Sequence, residues 1–220
     1  MNIEQARFNM IEQQVRPWDV LDSEILESLS LVKREDFVPE MYRDLAFADV
    51  EIPLVVDGNR TGQFMFSPKL EARLLQSLEV RRHESALEIG TGSGYGTALL
   101  AQRTRRIQSW EIDPAIAAFA AENLRRAEVA DVHLNVGDGY RAGGADNFDL
   151  IILSGSVAQV PEGLLERLNE GGRLFAIAGE APTMHARLFT RIGKGCVSKD
   201  IFETVAPRLI GFPTASRFKF

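Results

Sequence analysis

Apolar residues change their spacing along this chain near residue 80. Ahead of that point Ile3, Ala6, Met10, Ile11 and Val15 recur at i, i+3, i+7, i+8 and i+12, the spacing of one helical face. Pro17 disfavours helical backbone at the residue before it, so this helix is expected to end there. Asp22 is placed to cap a second helix that turns Ile25, Leu26 and Leu29 inward. The stretch from Ile52 to Pro68 is broken by Pro53, Gly58 and Gly62, shows little periodicity and is expected to be a long loop. Leu70, Leu74, Leu75 and Leu78 then mark a third helix with Pro68 in its first turn.

Beyond residue 84 short apolar runs alternate with helical patterns. Strands are expected at Ser85–Ile89, Ile107–Ile112, Val132–Val136, Phe148–Leu153 and Arg173–Ala178. Helices are expected over Thr97–Gln102, from Pro114 onward and from near Pro161. Such alternation implies parallel strands with crossover helices. His185–Ile192 and Ile201–Ile210 read as an antiparallel pair at the sheet edge, joined by a turn that includes Gly193, Lys194 and Gly195. The expected class is α/β, a doubly wound, mostly parallel sheet. Residues 1–80 would form a helical N-terminal extension with a substrate-side loop, packed on an α/β domain of residues 81–220.

Composition narrows the partners. A chain of 220 residues buries about 70% of its unfolded surface, enough for a core without staples. Lys and Arg number 25 against 31 Asp and Glu, a net charge of −6, which disfavours a broad basic face for nucleic acid. One cysteine, Cys196, makes no internal disulfide, and His83, His133 and His185 lack metal-ligand spacing, so no metal is expected. Met1–Gln14 lacks the apolar segment of a signal peptide, and no apolar run approaches the roughly 20 residues of a membrane span. The expected location is the cytoplasm, with no membrane partner. Nothing in the sequence specifies an oligomeric state.

The candidate chemistry lies where the first strand of the alternating region runs into Glu88-Ile89-Gly90-Thr91-Gly92-Ser93-Gly94. Open α/β sheets bind nucleotides at such turns, beyond the carboxyl ends of the strands. A dinucleotide fingerprint counted from Gly90 or Gly92 needs glycine at 95 or 97, which hold Tyr95 and Thr97, and no P-loop lysine follows. The E-x-G-x-G-x-G pattern instead resembles the S-adenosyl-L-methionine (SAM) site of class I methyltransferases. That resemblance marks Glu88, Gly90, Thr91, Gly92, Ser93 and Gly94 for the cofactor, with Glu88 near its methionine ammonium. Glu111, followed by Ile112, ends the second strand, where a carboxylate accepts both ribose hydroxyls. Asp138, between Gly137 and Gly139, is positioned to accept the adenine amino proton while Gly139 lets the base lie close. Trp110, just ahead of Glu111, reads as a core residue.

Several further stretches are similar to the protein-L-isoaspartate O-methyltransferase family. They are Val32–Pro39, Leu87–Thr97, Gly137–Gly139, Phe148–Leu153 and Leu168–Leu174, in one register from about residue 20 to 210. The resemblance implies methylation of the free carboxyl of isoaspartyl residues in damaged proteins. Where that family reads Gly-Gln-Thr-Ile-Ser-Gln-Pro, with the serine important for catalysis, this chain reads Gly62-Gln63-Phe64-Met65-Phe66-Ser67-Pro68. Phe66 takes the serine position and Phe64 the threonine position, so weakened activity is expected. Ser67, one residue out of register, and Ser154, after the fourth strand with Ser156 nearby, are the candidate hydroxyls for the acceptor. The family's peptide-contacting Phe-Val-Pro-Leu strand appears as Ala206-Pro207-Arg208-Leu209. A related methyltransferase with another acceptor, or a SAM-binding protein without catalysis, are the alternatives.

Overall fold

A computed structural model describes residues 2–141 and 146–213. Helix α1 (Ile3–Met10) continues through a π-helical turn at Ile11–Val15 and a 3₁₀ turn at Arg16–Trp18, where Pro17 ends it. Asp22 caps α2 (Ser23–Leu31) by accepting the N–H groups of Glu24 and Ile25 at 2.9 and 3.4 Å.

The expected loop at 52–68 is instead a hairpin, β1 (Ile52–Val56) with β2 (Asn59–Met65). Its turn is Asp57-Gly58, both with positive φ, the conformation that matches the twist of two antiparallel strands. Ile52 and Leu54 point into the core, and Met65 opposite Ile52 closes it. The Asp-Gly pair after Val55 and Val56 was the signal for this hairpin; the three breakers obscured it. Helix α3 (Pro68–Leu78) follows directly.

The main sheet has seven strands: β3 (Ser85–Ile89), β4 (Arg106–Glu111), β5 (Val132–Val136), β6 (Phe148–Val157), β7 (Leu168–Glu180), β8 (Thr183–Ile192) and β9 (Gly195–Glu203). Their order is β5-β4-β3-β6-β7-β8-β9, parallel through β7 and antiparallel from β7 to β9. Helices α4 (Tyr95–Ala101), α5 (Pro114–Arg126) and α6 (Glu162–Glu166) make the crossovers. Leu150–Leu153 of β6, at the middle of the sheet, is apolar and buried at every position because both faces are covered. Leu150 and Ile152 of β6 join one core with Met10, Leu29, Phe37, Leu75 and Leu99, while Ile151 and Leu153 join the other with Leu87, Leu164 and Leu174.

The strand expected over Ile201–Ile210 ends at Glu203. Past it the chain crosses to the carboxyl end of β6, where Ser156 N–H donates to Pro207 O at 2.7 Å and Leu209 N–H to Ser156 O at 2.9 Å. The backbone groups of this segment are satisfied by β6, not by the sheet edge, and Ala206 is buried as a result.

Candidate cofactor and acceptor cleft

Strands β3 and β6 are neighbours, but the chain leaves them in opposite directions, toward β4 and β5 on one side and β7 on the other. Such a reversal leaves a crevice at the carboxyl ends. Here it is a cleft of about 890 Å³, open to solvent, floored by the glycine loop and walled by the β1–β2 hairpin and the C-terminal segment. Gly90, Gly92 and Gly94 all have positive φ, which lets the loop turn sharply between β3 and α4. A Cβ on Gly90 would also lie 2.9 Å from Leu209 Cδ2 and 3.3 Å from Ser154 O, so a side chain there would displace Leu209 from the cleft wall.

Glu111 lies at the end of β4 with its carboxylate turned into this loop. Its Oε2 accepts the N–H of Gly92 at 2.9 Å and its Oε1 that of Asp113 at 3.1 Å, leaving one lone pair on each oxygen for a ligand. Burial raises its pKa, and those backbone donors partly offset the effect. Glu88 is buried beneath the loop. Thr97 and Ser109 donate their hydroxyls to its Oε2, and Ser154 donates to its Oε1 at 3.0 Å. Burial pushes the Glu88 carboxyl up to about 7 despite these three donors.

Glu88, Gly90, Thr91, Gly92, Ser93, Glu111, Ile112 and Gly139 all line the cleft, and Gly94 closes the loop behind them. Trp110, expected in the core, also lines it. A Cβ on Gly139 would lie 2.8 Å from Trp110 Cβ, so only glycine lets this turn lie against that strand. Asp138 is not among the lining residues. Its Oδ1 accepts the N–H groups of Tyr140 and Arg141 at 3.0 and 3.3 Å, and its Oδ2 pairs with Arg141 Nε at 3.3 Å. A carboxylate that opens a turn is captured by that turn's own free donors, and Asp138 is held this way.

The serine candidates fall in three different places. Ser67 is the N-cap of α3, is buried, makes no capping bond through its side chain and does not line the cleft. Ser156 is fully buried and donates to Ala206 O at 2.7 Å, fastening the C-terminal segment. Ser154 does line the cleft, but its proton is committed to Glu88. The wall where an acceptor would enter is mostly apolar: Leu54, Phe64, Met65, Phe66, Leu209 and Ile210, with Thr61 and Gln63 as its polar members. Phe66 is 6% exposed and its carbonyl accepts Arg34 Nη2 at 2.7 Å, whereas Phe64 is 39% exposed at the rim.

Three cleft residues went unnoticed in the sequence: Arg34, Glu71 and Tyr95. All are buried, and Arg34 lies over the Tyr95 ring at 5.0 Å. Among the described residues Arg34 Nε and Nη1 and the Tyr95 hydroxyl have no hydrogen-bond partner. In sequence each is an ordinary helix or turn residue, and no local pattern marks it. Among the described residues no group of His, Cys, Asp and Glu is arranged to hold a metal ion.

The cleft fits SAM better than a phosphate-bearing ligand. Glu71, Glu88, Glu111 and Asp113 face Arg34 as the single basic residue of the lining, a balance that repels phosphates and favours a cation. Glu111 has free lone pairs for ribose hydroxyls, and Trp110, Ile112 and Gly139 offer a flat apolar surface for a base.

Comparison with known proteins agrees. The sequence profile of the Protein-L-isoaspartate(D-aspartate) O-methyltransferase family matches residues 5–206. A protein-L-isoaspartate O-methyltransferase of Opitutus terrae is 37% identical over 209 residues, spanning 93% of this chain and 86% of that one. Another of that name, from Methanoculleus marisnigri, is 36% identical over 174 residues, 79% of this chain and 77% of the relative. The fold is shared with a Plasmodium falciparum protein-L-isoaspartate O-methyltransferase solved in complex with S-adenosyl-L-homocysteine, at a TM-score of 0.78 and 18% identity, covering 94% of this chain and 97% of that one. A second solved protein-L-isoaspartate O-methyltransferase superposes at a TM-score of 0.79 and 23% identity, over 95% of this chain and 66% of its own. This chain belongs to the protein-L-isoaspartate(D-aspartate) O-methyltransferase family of SAM-dependent methyltransferases.

Proposed function

We propose that this protein transfers the methyl group of SAM to the free carboxylate of isoaspartyl residues in damaged proteins, at a rate limited by its phenylalanine-lined acceptor wall. The observation that carries the reading is the cleft at the β3/β6 switch point, with Glu88 and Glu111 set around the glycine loop in a chain of this family. When bound, SAM supplies a methyl group on a sulfonium centre. Gly90, Thr91, Gly92, Ser93 and Gly94 cradle it, Glu111 accepts the ribose hydroxyls, and Ile112 and Gly139 pack the base. The acceptor carboxylate is ionised at pH 7, so no base is required, and the chain's task is to orient that oxygen and exclude water. The hairpin and the Ala206–Leu209 segment do both. The extension of residues 1–80 supplies the hairpin wall of the cleft, and the α/β domain of residues 81–220 supplies the glycine loop and the Ala206–Leu209 segment.

The acceptor is a protein or peptide, not nucleic acid or lipid, and the proposed setting is the cytoplasm. No helix among the described residues is long and apolar enough to cross a membrane. A second reading, methylation of a different acceptor by the same cofactor site, is favoured by one observation: among the described residues neither candidate serine nor the hairpin hydroxyl is free to donate, since Ser154 is committed to Glu88, Thr61 donates to Leu54 O and Ser67 lies outside the cleft. Methyl ester formation on isoaspartyl and aspartyl peptides, with SAM saturating, decides between them. Slow transfer to the isoaspartyl peptide alone supports the first reading, and Ser67→Ala leaves it unchanged. No transfer to either peptide, with intact SAM binding, moves the assignment to another acceptor.

A further inference from the structure

Glu71 lies in the first turn of α3, on a helix whose buried face is otherwise apolar: Leu70, Ala72, Leu74, Leu75 and Leu78. It is 8% exposed and lines the cleft, and its carboxylate forms no hydrogen bond or ion pair with any described residue. A buried carboxylate in that condition is costly unless something else satisfies it. Its neighbour across the cleft floor is Glu88. The point that a Cβ on Gly96 would occupy lies 2.5 Å from Glu71 Oε1 and 3.1 Å from Glu88 Oε1, so the two carboxylates converge on one spot that only glycine leaves free. Glu88 Oε2 is saturated by Thr97 and Ser109, whereas its Oε1 has only Ser154. Two half-satisfied oxygens therefore face the cleft together, and the Tyr95 hydroxyl, which has no hydrogen-bond partner among the described residues, lines the same floor.

We infer that Glu71 and Glu88 form a two-carboxylate clamp for the α-ammonium of the cofactor's methionine moiety, and that the clamp discharges a proton when the cofactor enters. The inference rests on the functional reading above and adds Glu71 to it as a cofactor-binding and specificity residue. An ammonium carries three donors and bridges two carboxylates without leaving either unpaired. Before it arrives, like charges in a buried site cannot both stay ionised. Burial and the neighbouring Glu88 push Glu71 up to about 7 while Arg34 pulls it down, and Glu88 stands at about 7 as well. The other charged groups near the pair are Arg34, whose own environment includes Asp49 and Tyr95, and Glu111 beside Glu88. Asp49 is held by Lys69, so it offers no competing counter-ion to the ligand. Ligand binding stabilises the ionised carboxylates; affinity therefore rises with pH up to about 7 and levels off above it.

The test is calorimetry of S-adenosylhomocysteine against the wild-type protein, Glu71→Gln and Glu111→Gln at pH 6, 7 and 8, in two buffers of different ionisation enthalpy. A parallel titration uses an analogue lacking the α-amino group. Wild-type affinity should fall about tenfold from pH 8 to pH 6, with net proton release at pH 7. Glu71→Gln should bind ten- to a hundredfold more weakly at pH 8, release fewer protons and show a shallower pH profile. Against the deaminated analogue, Glu71→Gln and wild type should bind alike. Without ligand, Glu71→Gln should melt no lower than wild type at pH 8, because a repelling charge has been removed. Equal affinity of wild type and Glu71→Gln for S-adenosylhomocysteine, beside a loss in Glu111→Gln, overturns the clamp and leaves the cofactor site standing. An equal loss for the parent ligand and its deaminated analogue, or a lowered melting temperature with unchanged affinity, assigns Glu71 to packing. No binding by the wild-type protein overturns the functional reading itself.

Discussion

Glu111 does two things with one carboxylate: it ties the glycine loop and the start of α5 together through Gly92 and Asp113, and it presents free lone pairs to the cleft. Glu111→Gln leaves one acceptor oxygen where there were two. Affinity for S-adenosylhomocysteine should fall ten- to a hundredfold, and less for a 2′-deoxyribose analogue that lacks one hydroxyl partner, as binding isotherms would report. At the acceptor wall the two phenylalanines differ in consequence. Phe66 is nearly fully buried while Phe64 sits at the rim, so Phe66→Ser empties core volume and should lower stability by about 3 kcal/mol, whereas Phe64→Thr should cost little. Together the two changes should raise methylation of an isoaspartyl peptide, measured as methyl ester at a temperature where the variant is still folded. A rate that stays at the native level would mean that hydroxyls at these positions do not hold the carboxylate. Glu88 was legible as a site residue because it opens the glycine loop, and Glu111 because it ends the next strand. Glu71 was not, since an acid in a helix reads as solvated unless its neighbours in space are known.

Elements bring these groups into place, and their ends are where the local sequence speaks most clearly. Asp113 caps α5 by accepting the N–H groups of Ala115 and Ile116 at 2.8 and 3.3 Å, and Pro114 occupies the first helical position. Asp113→Ala should lower stability by about 1 kcal/mol, or roughly 2–4 °C in melting temperature for a chain of this size. Because Glu111 Oε1 holds the Asp113 N–H, that carboxylate should stay in place, and S-adenosylhomocysteine affinity should change far less than in Glu111→Gln. Comparable losses in the two variants would show that α5 positions the ribose site. The β1–β2 hairpin shows the opposite case. Its Asp57-Gly58 turn carried a hairpin signal, yet Pro53 and Gly62 on either side concealed the alternation, and only the pairing of Ile52 with Met65 shows which face is buried.

For the whole molecule, buried acids set how stability responds to pH. Glu71 and Glu88 have folded values near 7 against 4.5 for an ordinary glutamate, so between those limits the folded protein holds protons that the unfolded chain releases. Stability from this source is fully present below about pH 4.5 and is lost as pH rises through about 7. Asp149 acts the other way. Its bonds from Ser85 and Asn169 outweigh burial and depress its value, so its contribution fails only in acid, below this window. The ligand-free protein should therefore melt higher at pH 5.5 than at 7.5, Glu71→Gln should flatten that difference, and S-adenosylhomocysteine should restore the melting temperature at 7.5. A ligand-free protein more stable at 7.5 would show that the carboxylates are not desolvated in this way. The alternation of apolar runs, the glycine loop and the acids at strand ends determined the doubly wound sheet and the cofactor, because hydrogen-bond geometry and side-chain period act over a few residues. What only the tertiary structure decided was the company each polar group keeps. Arg34, Glu71 and the loop from Glu88 to Tyr95 come from three separate stretches of chain, and Ser154 gives its proton to Glu88 from 66 residues away. Desolvation and charge coupling depend on distances through space, so protonation in the cleft follows from the packed fold and not from local sequence.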